Sequence, residues 1–273
     1  MLEITSTQNP KIKRLVDLRD RAERDKSDLF LIEGYRELLR AVDAAWKMET
    51  LFICEELFLG SNEGALLKKA TEQGAGLIQC SKKVFEKISY RDRPDGLIAI
   101  APQRHLDFGS LKRLSKNSSP FYVIAEAIEK PGNLGTILRS SDAVGVDGLI
   151  VCDRCTDIYN PNVVRASVGT LFTVPTLEAR GRETLDWLKE QNIAIVAATP
   201  HAKTSFTEVD LTRGIAIAMG TEQLGLSDLW MKEAAIQVSI PMRGVADSLN
   251  VAMATTLLLY ETLRQREAKR QHG

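Results

Sequence analysis

Two α/β domains in tandem are what this sequence predicts. Three observations carry the expectation. Short apolar runs alternate with helical stretches of about ten residues along most of the chain. Residues 215–219, IAIAM, form an apolar run with no polar break, as a strand buried on both faces requires. Residues 102–120, PQRHLDFGSLKRLSKNSSP, interrupt the alternation with prolines, serines, Lys112, Arg113 and Lys116, which is the composition of a linker. The boundaries drawn are a first domain over 1–107, a linker over 108–118 and a second domain over 119–273. His105, near the linker, reads as a surface residue because nothing beside it orients it.

Element by element, residues 4–26 come first. Lys11, Lys13, Arg14, Arg19, Arg21, Arg24 and Lys26 are interleaved there with Asp17, Asp20, Glu23 and Asp25. The pattern predicts a solvated helix face laced with ion pairs; a surface for nucleic-acid phosphates is the functional alternative. Strands are expected at 29–32, 51–54, 76–79 and 97–101, with helices from Gly34 to about Ala45, over 64–73 and over 82–88. The second domain opens with a strand at 121–125 and a loop to Gly132. A helix then runs to Val144, capped by Gly145, before a strand at 149–152. Helices follow Pro161 and span 182–191, and strands are expected at 193–198, 215–219 and 236–240. Ser248 reads as the N-cap of a long apolar helix from Leu249 to about Leu263.

The chain has 273 residues, 44% hydrophobic and 26% charged, with zero formal net charge. That is an ordinary globular composition and argues mildly against a strong nucleic-acid binder, although local charge matters more. No apolar run approaches the roughly 18 residues of a membrane span. The N-terminus lacks a signal-peptide core, so a cytoplasmic location is expected. The four cysteines do not suggest a disulfide framework. Cys152 and Cys155 form a CxxC without a second pair at zinc spacing, and the pair closes a strand rather than opening a helix; both read as incidental, and no metal is expected.

Strand ends followed by glycine-bearing loops converge on the start of the last helix, and ligands bind at such places in α/β sheets. Asn133, Gly135 and Arg139 fall at N-x-G-x-x-x-R. Asn133 stands where an N-cap would. Arg139, about a turn and a half further on, sits among Ile137, Leu138 and Val144 and is expected to be partly covered, with a carboxylate or a ligand phosphate as partner. Neither a P-loop nor G-x-G-x-x-G is present.

Three segments in order carry a resemblance: N-x-G-x-x-x-R at 133–139, M-G-T-E-x-x-G-L at 219–226 and I-P-M-x-G-x-x-D-S-L-N-V at 240–251. Together they resemble the SpoU (TrmH) family of RNA ribose 2′-O-methyltransferases in the SPOUT superfamily, over roughly residues 119–265. The TSTQNPKIK opening, FLIEGYREL and the α/β alternation resemble the L30e-like substrate-binding domain that precedes the catalytic domain in many members. Thr221, Asp247 and Ala252 depart from the residues most members carry.

The resemblance implies an L30e-like α/β domain followed by a SPOUT domain with a parallel sheet and a deep trefoil knot. It implies S-adenosylmethionine as cofactor, contacted largely through backbone at Thr199, Gly220, Ile240 and Leu249, and a homodimer built on the last helix. It implies methyl transfer to a ribose 2′-OH of structured RNA. Ribosomal RNA is favoured, because tRNA-specific members usually lack an L30e-like domain. A tRNA enzyme, a non-catalytic RNA-binding or ribosome-assembly protein, and a self-protection methyltransferase against a ribosome-targeting antibiotic are the alternatives. The family role of base or alkoxide stabiliser falls on Arg139. Asn133 places the ribose or orders its loop, Ser248 and Asn250 orient Arg139 or a phosphate, and Glu222 holds loops by accepting backbone N–H groups or serves as a helix-start carboxylate.

Overall fold

The structure, a computed structural model, describes residues 2–153 and 156–272. It divides into two compact units: unit 1 runs up to Arg104 and also takes Asp157–Thr173, and unit 2 holds His105–Thr156 and the chain from Val174 onward. Unit 1 opens with β1 (Leu2–Ile4), α1 (Pro10–Asp17), α2 (Arg21–Ser27), β2 (Leu29–Glu33), α3 (Tyr35–Asp43) and β3 (Thr50–Ile53). It continues with α4 (Glu63–Glu72), β4 (Gly76–Cys80), α5 (Lys82–Ile88) and β5 (Leu97–Pro102). Next come α6 (Phe108–Leu114), β6 (Phe121–Glu126), α7 (Pro131–Val144), β7 (Gly148–Cys152) and α8 (Pro161–Ser167). The chain finishes with β8 (Thr176–Ala179), α9 (Gly181–Glu190), β9 (Ala194–Ala198), β10 (Ile215–Met219), α10 (Asp228–Glu233), β11 (Ile236–Val238) and α11 (Val251–His272).

In unit 1 a five-stranded sheet runs β1-β4-β3-β5-β2. β5 is antiparallel to both its neighbours and the remaining pairs are parallel. α1 starts where Asn9 Oδ1 accepts the Lys11 N–H and Pro10 takes the first helical position. Its buried Ile12 and Leu15 pack into a core with Leu31, Phe52, Ile78 and Ile98.

The basic stretch largely bears out the ion-paired reading: Arg14 meets Glu49, Arg21 meets Asp25 and Lys26 meets Glu23. Arg24 departs from it. Its side chain is 1% exposed, with Nη2 2.6 Å from Asp157 Oδ2 and Nη1 donating to the carbonyls of Leu18 and Arg19. Arg19 donates to the carbonyls of Ile88 and Ser89, each at 2.8 Å. Two of the seven cations are thus interior ties rather than surface charges.

Residues 157–173, expected within a continuous second domain, fold with unit 1. Their aromatic rings find partners there: Tyr159 lies 4.5 Å from Phe30 and Phe172 5.1 Å from Trp46, centroid to centroid. Tyr159 Oη donates to the Arg104 carbonyl at 2.6 Å and accepts its N–H, while Arg40 donates to the Val168 carbonyl. The expected linker 108–118 is also corrected. It contains α6, capped by Asp107, whose Oδ1 accepts the Ser110 N–H. Leu111 is fully buried in the core of unit 2, in a notch that exists because Gly148 has no side chain: a Cβ there would stand 2.5 Å from Leu111 Cδ1. Burying such a leucine contributes about 2 kcal/mol, and Phe108 stacks on Trp187 at 5.1 Å beside it.

In unit 2 six parallel strands run β11-β9-β10-β6-β7-β8. β6, β7 and β10 are buried along their whole length, as the unbroken apolar runs require. The crossover after β6 leads to β7, whereas the chain leaving β10 ends at the opposite edge, on β11. Between these neighbours the winding reverses, which opens a crevice at their carboxyl ends. α7 and α11 are joined by a 2.6 Å hydrogen bond between the Ser140 and Thr256 hydroxyls. Arg266 locks the far end of α11, donating to the carbonyls of Ser119 and Arg213 and lying 4.7 Å over Phe121. Among the described residues no helix is long and apolar enough to cross a membrane.

Two helix starts differ from expectation. α7 begins at Pro131 with Lys130 at the cap position, so Asn133 lies inside the first turn; proline at the first helical position sets the start. α11 begins at Val251 and runs to His272. Its cap is Asn250, whose Oδ1 accepts the Ala252 N–H at 3.0 Å, rather than Ser248. Cys152 is buried with Sγ 3.4 Å from the Thr184 hydroxyl. Cys155 lies outside the described residues.

Candidate active site at the carboxyl ends of the parallel strands

The reversal point between β6 and β10 is where the three motif segments meet. Asn133 Nδ2 donates to Glu222 Oε1 at 2.9 Å. Asn250 Nδ2 lies 2.7 Å from the same oxygen and 3.1 Å from Asn133 Oδ1. Lys130 Nζ reaches Glu222 Oε2 at 2.6 Å. Asn250 therefore serves twice, capping α11 with its oxygen and joining the other two motifs with its nitrogen. Glu222 collects the three donors. The Lys130 hydrogen bond, followed by that of Asn133, holds its carboxyl below the ordinary 4.5, and the Lys130 ammonium is correspondingly pushed up from 10.5. The hydrogen bonds that reach Glu222 come from the side chains of Lys130, Asn133 and Asn250.

Both signs give one window. A carboxylate with a depressed folded-state pKa stabilises above its unfolded value, and that stabilisation is lost as pH falls through the folded value. A lysine with a raised pKa stabilises below its unfolded value and loses this as pH rises through the folded one. The stabilisation is thus complete from about 4.5 to 10.5 and is lost only outside that window. Following the Glu222 carboxyl by NMR titration should give a midpoint below 4.5; one at or above it would show that the cluster does not form in solution.

The loop after β10 closes on itself. Thr221 and Gly225 exchange backbone hydrogen bonds at 3.1 and 2.9 Å, with Gly225 at φ +68°. A Cβ on Gly220 would stand 2.2 Å from the Gly225 backbone, so any side chain at 220 forces the loop apart. Glu126, buried at the end of β6, accepts the Ser227 N–H at 2.7 Å and its hydroxyl at 2.5 Å, fastening this loop to the neighbouring strand. Lys130, Glu126 and Ser227 were not singled out in the sequence. Lys130 adjoins the first motif, and a cation beside Pro131 is the one signal that pointed to it.

Thr199 follows β9, where its N–H bonds the Val238 carbonyl at 2.9 Å, next to the strand end that leads to Ile240. Thr199, Gly220 and Ile240 thus stand at the ends of the adjacent strands β9, β10 and β11. Thr199, Ile240 and Leu249 are half-buried. Among the described residues no backbone–backbone hydrogen bond ties 241–249. Apolar side chains beside unpaired backbone groups fit a ligand with a flat base and several polar atoms. Ser248 is exposed on this loop.

Arg139 differs from expectation. It is exposed, on the outer stripe of α7 with Thr136 and Asp142, while Leu134, Ile137, Leu138 and Ser141 take the buried face. The helical period sets it away from its apolar sequence neighbours. Among the described residues no carboxylate pairs with it.

A polar cluster at the reversal point of a parallel sheet places unit 2 in the class of α/β proteins that bind a ligand at the strand ends. Residues 120–260 match the SpoU rRNA Methylase family, and residues 9–99 match the MRM3-like substrate binding domain. A 23S rRNA (uridine(2479)-2′-O)-methyltransferase of Streptomyces viridochromogenes is 32% identical over 256 residues, covering 91% of this chain and 87% of its own. An AdoMet-bound rRNA methyltransferase from Sinorhizobium meliloti superposes with a TM-score of 0.86 at 30% identity, over 96% of this chain and 97% of the other. A structure described as an RNA 2′-O ribose methyltransferase does so at 0.83 and 41% identity, over 97% of this chain and all of the other. The chain belongs to the SpoU rRNA methylase family.

Proposed function

We propose that this chain methylates a ribose 2′-OH of large-subunit ribosomal RNA in the cytoplasm, with Arg139 at the reacting hydroxyl. The observation that carries the reading is the Asn133–Glu222–Asn250 network, which joins three separated motifs at the strand reversal. Bound S-adenosylmethionine supplies an electrophilic methyl on a sulfonium. Thr199, Gly220, Ile240 and Leu249 hold it by apolar contact and backbone hydrogen bonds, within a chain that threads as the knot its family implies.

The 2′-hydroxyl is a weak nucleophile: as the new O–C bond forms, the methyl would leave its sulfur, which keeps the electron pair, and the hydroxyl proton would pass to solvent water at the exposed site. A guanidinium stays protonated at neutral pH. Arg139, exposed and without a carboxylate partner among the described residues, meets the developing alkoxide as a cation and grips the adjoining phosphate. Ser248 hydrogen-bonds the same phosphate. Asn133 and Asn250, fixed by Glu222, keep the loops around the ribose in place. Supplying labelled cofactor with separated rRNA and tRNA, then mapping the modified ribose, tests the reading. Label in tRNA alone would overturn the ribosomal target, and label in neither would favour a non-catalytic RNA-binding protein.

A homodimer through α11 belongs to the same proposal. Met253, Leu257 and Tyr260 are 63%, 43% and 50% exposed at i, i+4 and i+7, an apolar stripe on one helix face. Met253→Glu with Leu257→Glu is expected to give a folded monomer by analytical ultracentrifugation. An unchanged dimer, or a wild-type monomer, would remove α11 as the interface.

A further inference from the structure

Unit 1 carries a cleft of about 790 Å³ between the start of α3, the turn before α4, the loop 91–95 and α8. Its floor is electrically closed. Arg91 Nη2 lies 2.8 Å from buried Glu37 and donates to the Glu33 carbonyl at 2.8 Å. Its Nη1 is 3.6 Å from Asp95, which in turn accepts the Tyr35 N–H.

The rim is different. Arg36, Arg93 and Arg165 line the cleft and are exposed. Among the described residues none of these three guanidinium groups has a hydrogen bond or ion pair. Every other arginine of unit 1 is committed. Arg14, Arg21, Arg24 and Arg91 meet carboxylates, and Arg19, Arg40 and Arg104 meet carbonyls. The uncommitted ones come from three separate segments, α3, the loop before β5 and α8, yet face one space. Asp92 and Glu63 also line it, Glu63 already accepting the Gly60 N–H. Tyr35 and the 80% exposed Leu59 add flat and apolar surface.

Guanidinium groups aimed at one opening bind phosphate oxygens in pairs, and an aromatic or apolar wall accepts a base face. A duplex presents its phosphates on a convex rod that a cleft of this size does not admit, whereas an unpaired strand enters it. We infer that this cleft holds one or two unpaired nucleotides of the RNA substrate, their phosphates on Arg36, Arg93 and Arg165. The inference rests on the RNA-methyltransferase reading and gives its substrate a single-stranded anchor outside the methyl-transfer site. Because Arg165 arrives with residues 157–173, the pocket is complete only when that segment is in place.

The test uses the full chain and a fluorescent single-stranded RNA of about 12 nucleotides, with a duplex of the same sequence as comparison. Binding is followed by anisotropy across a salt series. In R36Q/R93Q/R165Q the slope of log affinity against log salt should become shallower by about 0.7–1.4, near 0.7 for each phosphate no longer neutralised, with affinity at physiological salt down about tenfold or more. The unfolding midpoint and calorimetric S-adenosylmethionine affinity should stay at wild-type values. An unchanged slope and affinity, or tighter binding of the duplex, would overturn the assignment. So would a comparable loss in K11Q/K13Q with none in the triple variant. The outcomes separate the two readings: methylation of rRNA with an unaltered triple variant removes the cleft alone. Weakened binding in a chain that methylates no RNA removes the enzymatic reading alone.

Discussion

Arg139→Ala is expected to slow single-turnover methyl transfer by about 10²–10⁴-fold at saturating RNA and cofactor, while S-adenosylmethionine affinity stays near wild type. The side chain is on the outer face of α7 and pairs with no carboxylate among the described residues. Its removal therefore leaves no buried group unsatisfied, and stability should barely change. Arg139→Lys keeps the charge but loses the planar fork. If bidentate contact with phosphate matters, lysine behaves like alanine; if charge at the alkoxide suffices, lysine restores much of the rate. A wild-type rate constant in the alanine variant would show that the residue carries no chemistry.

The largest effect on stability is expected at Arg24. Its guanidinium is 1% exposed against an Asp157 side chain that is 9% exposed, at 2.6 Å. Removing one partner of a buried pair strands the other charge, a loss of about 3–5 kcal/mol. Arg24→Ala should therefore unfold in chemical denaturation at a much lower midpoint than wild type. Arg24→Met combined with Asp157→Leu fills the volume and removes both charges, and should recover most of the deficit. A deficit below about 1 kcal/mol in the single variant would mean that solvent reaches the pair, contrary to its burial.

How much was legible in the sequence follows from which physical signals are local. β10 and β6 announced themselves because burial on both faces writes an unbroken apolar run. Gly145 marked the end of α7 because the αL cap needs φ near its observed +69°. β1 and β8, of three and four residues, are too short to show a period, and their pairing is set by neighbours distant in sequence. α6 was hidden because seven residues rich in serine-flanked charge look like a linker until Leu111 meets Gly148. α11 runs beyond Leu263 into a polar stretch held by the tertiary bonds of Gln265 and Arg266.

At the site, the motif resemblance supplied Asn133, Glu222 and Asn250, and the structure shows them bonded to one another. It did not show that Glu222 is the common acceptor, nor that Lys130 joins it, because hydrogen-bond partners 89 and 92 positions apart leave no spacing to read. Arg139 was misplaced for a simpler reason. Apolar sequence neighbours suggested cover, but helical geometry puts residue 139 on the other face from 137 and 138.

Residues 157–173 have a consequence for how such a chain is inherited and engineered. The backbone passes from unit 1 to unit 2 after Arg104, returns at Asp157 and leaves again after Thr173. A recombination event or gene fusion that exchanged only the first 104 residues would separate Phe30 and Trp46 from Tyr159 and Phe172, and Arg24 from Asp157. A chimera made at that single junction carries mismatched rings and a stranded charge. Unit 1 is transplantable only as two cassettes moved together, 1–104 and 157–173. The co-inherited unit is therefore discontinuous in the gene, and the two pieces should tolerate change only in step.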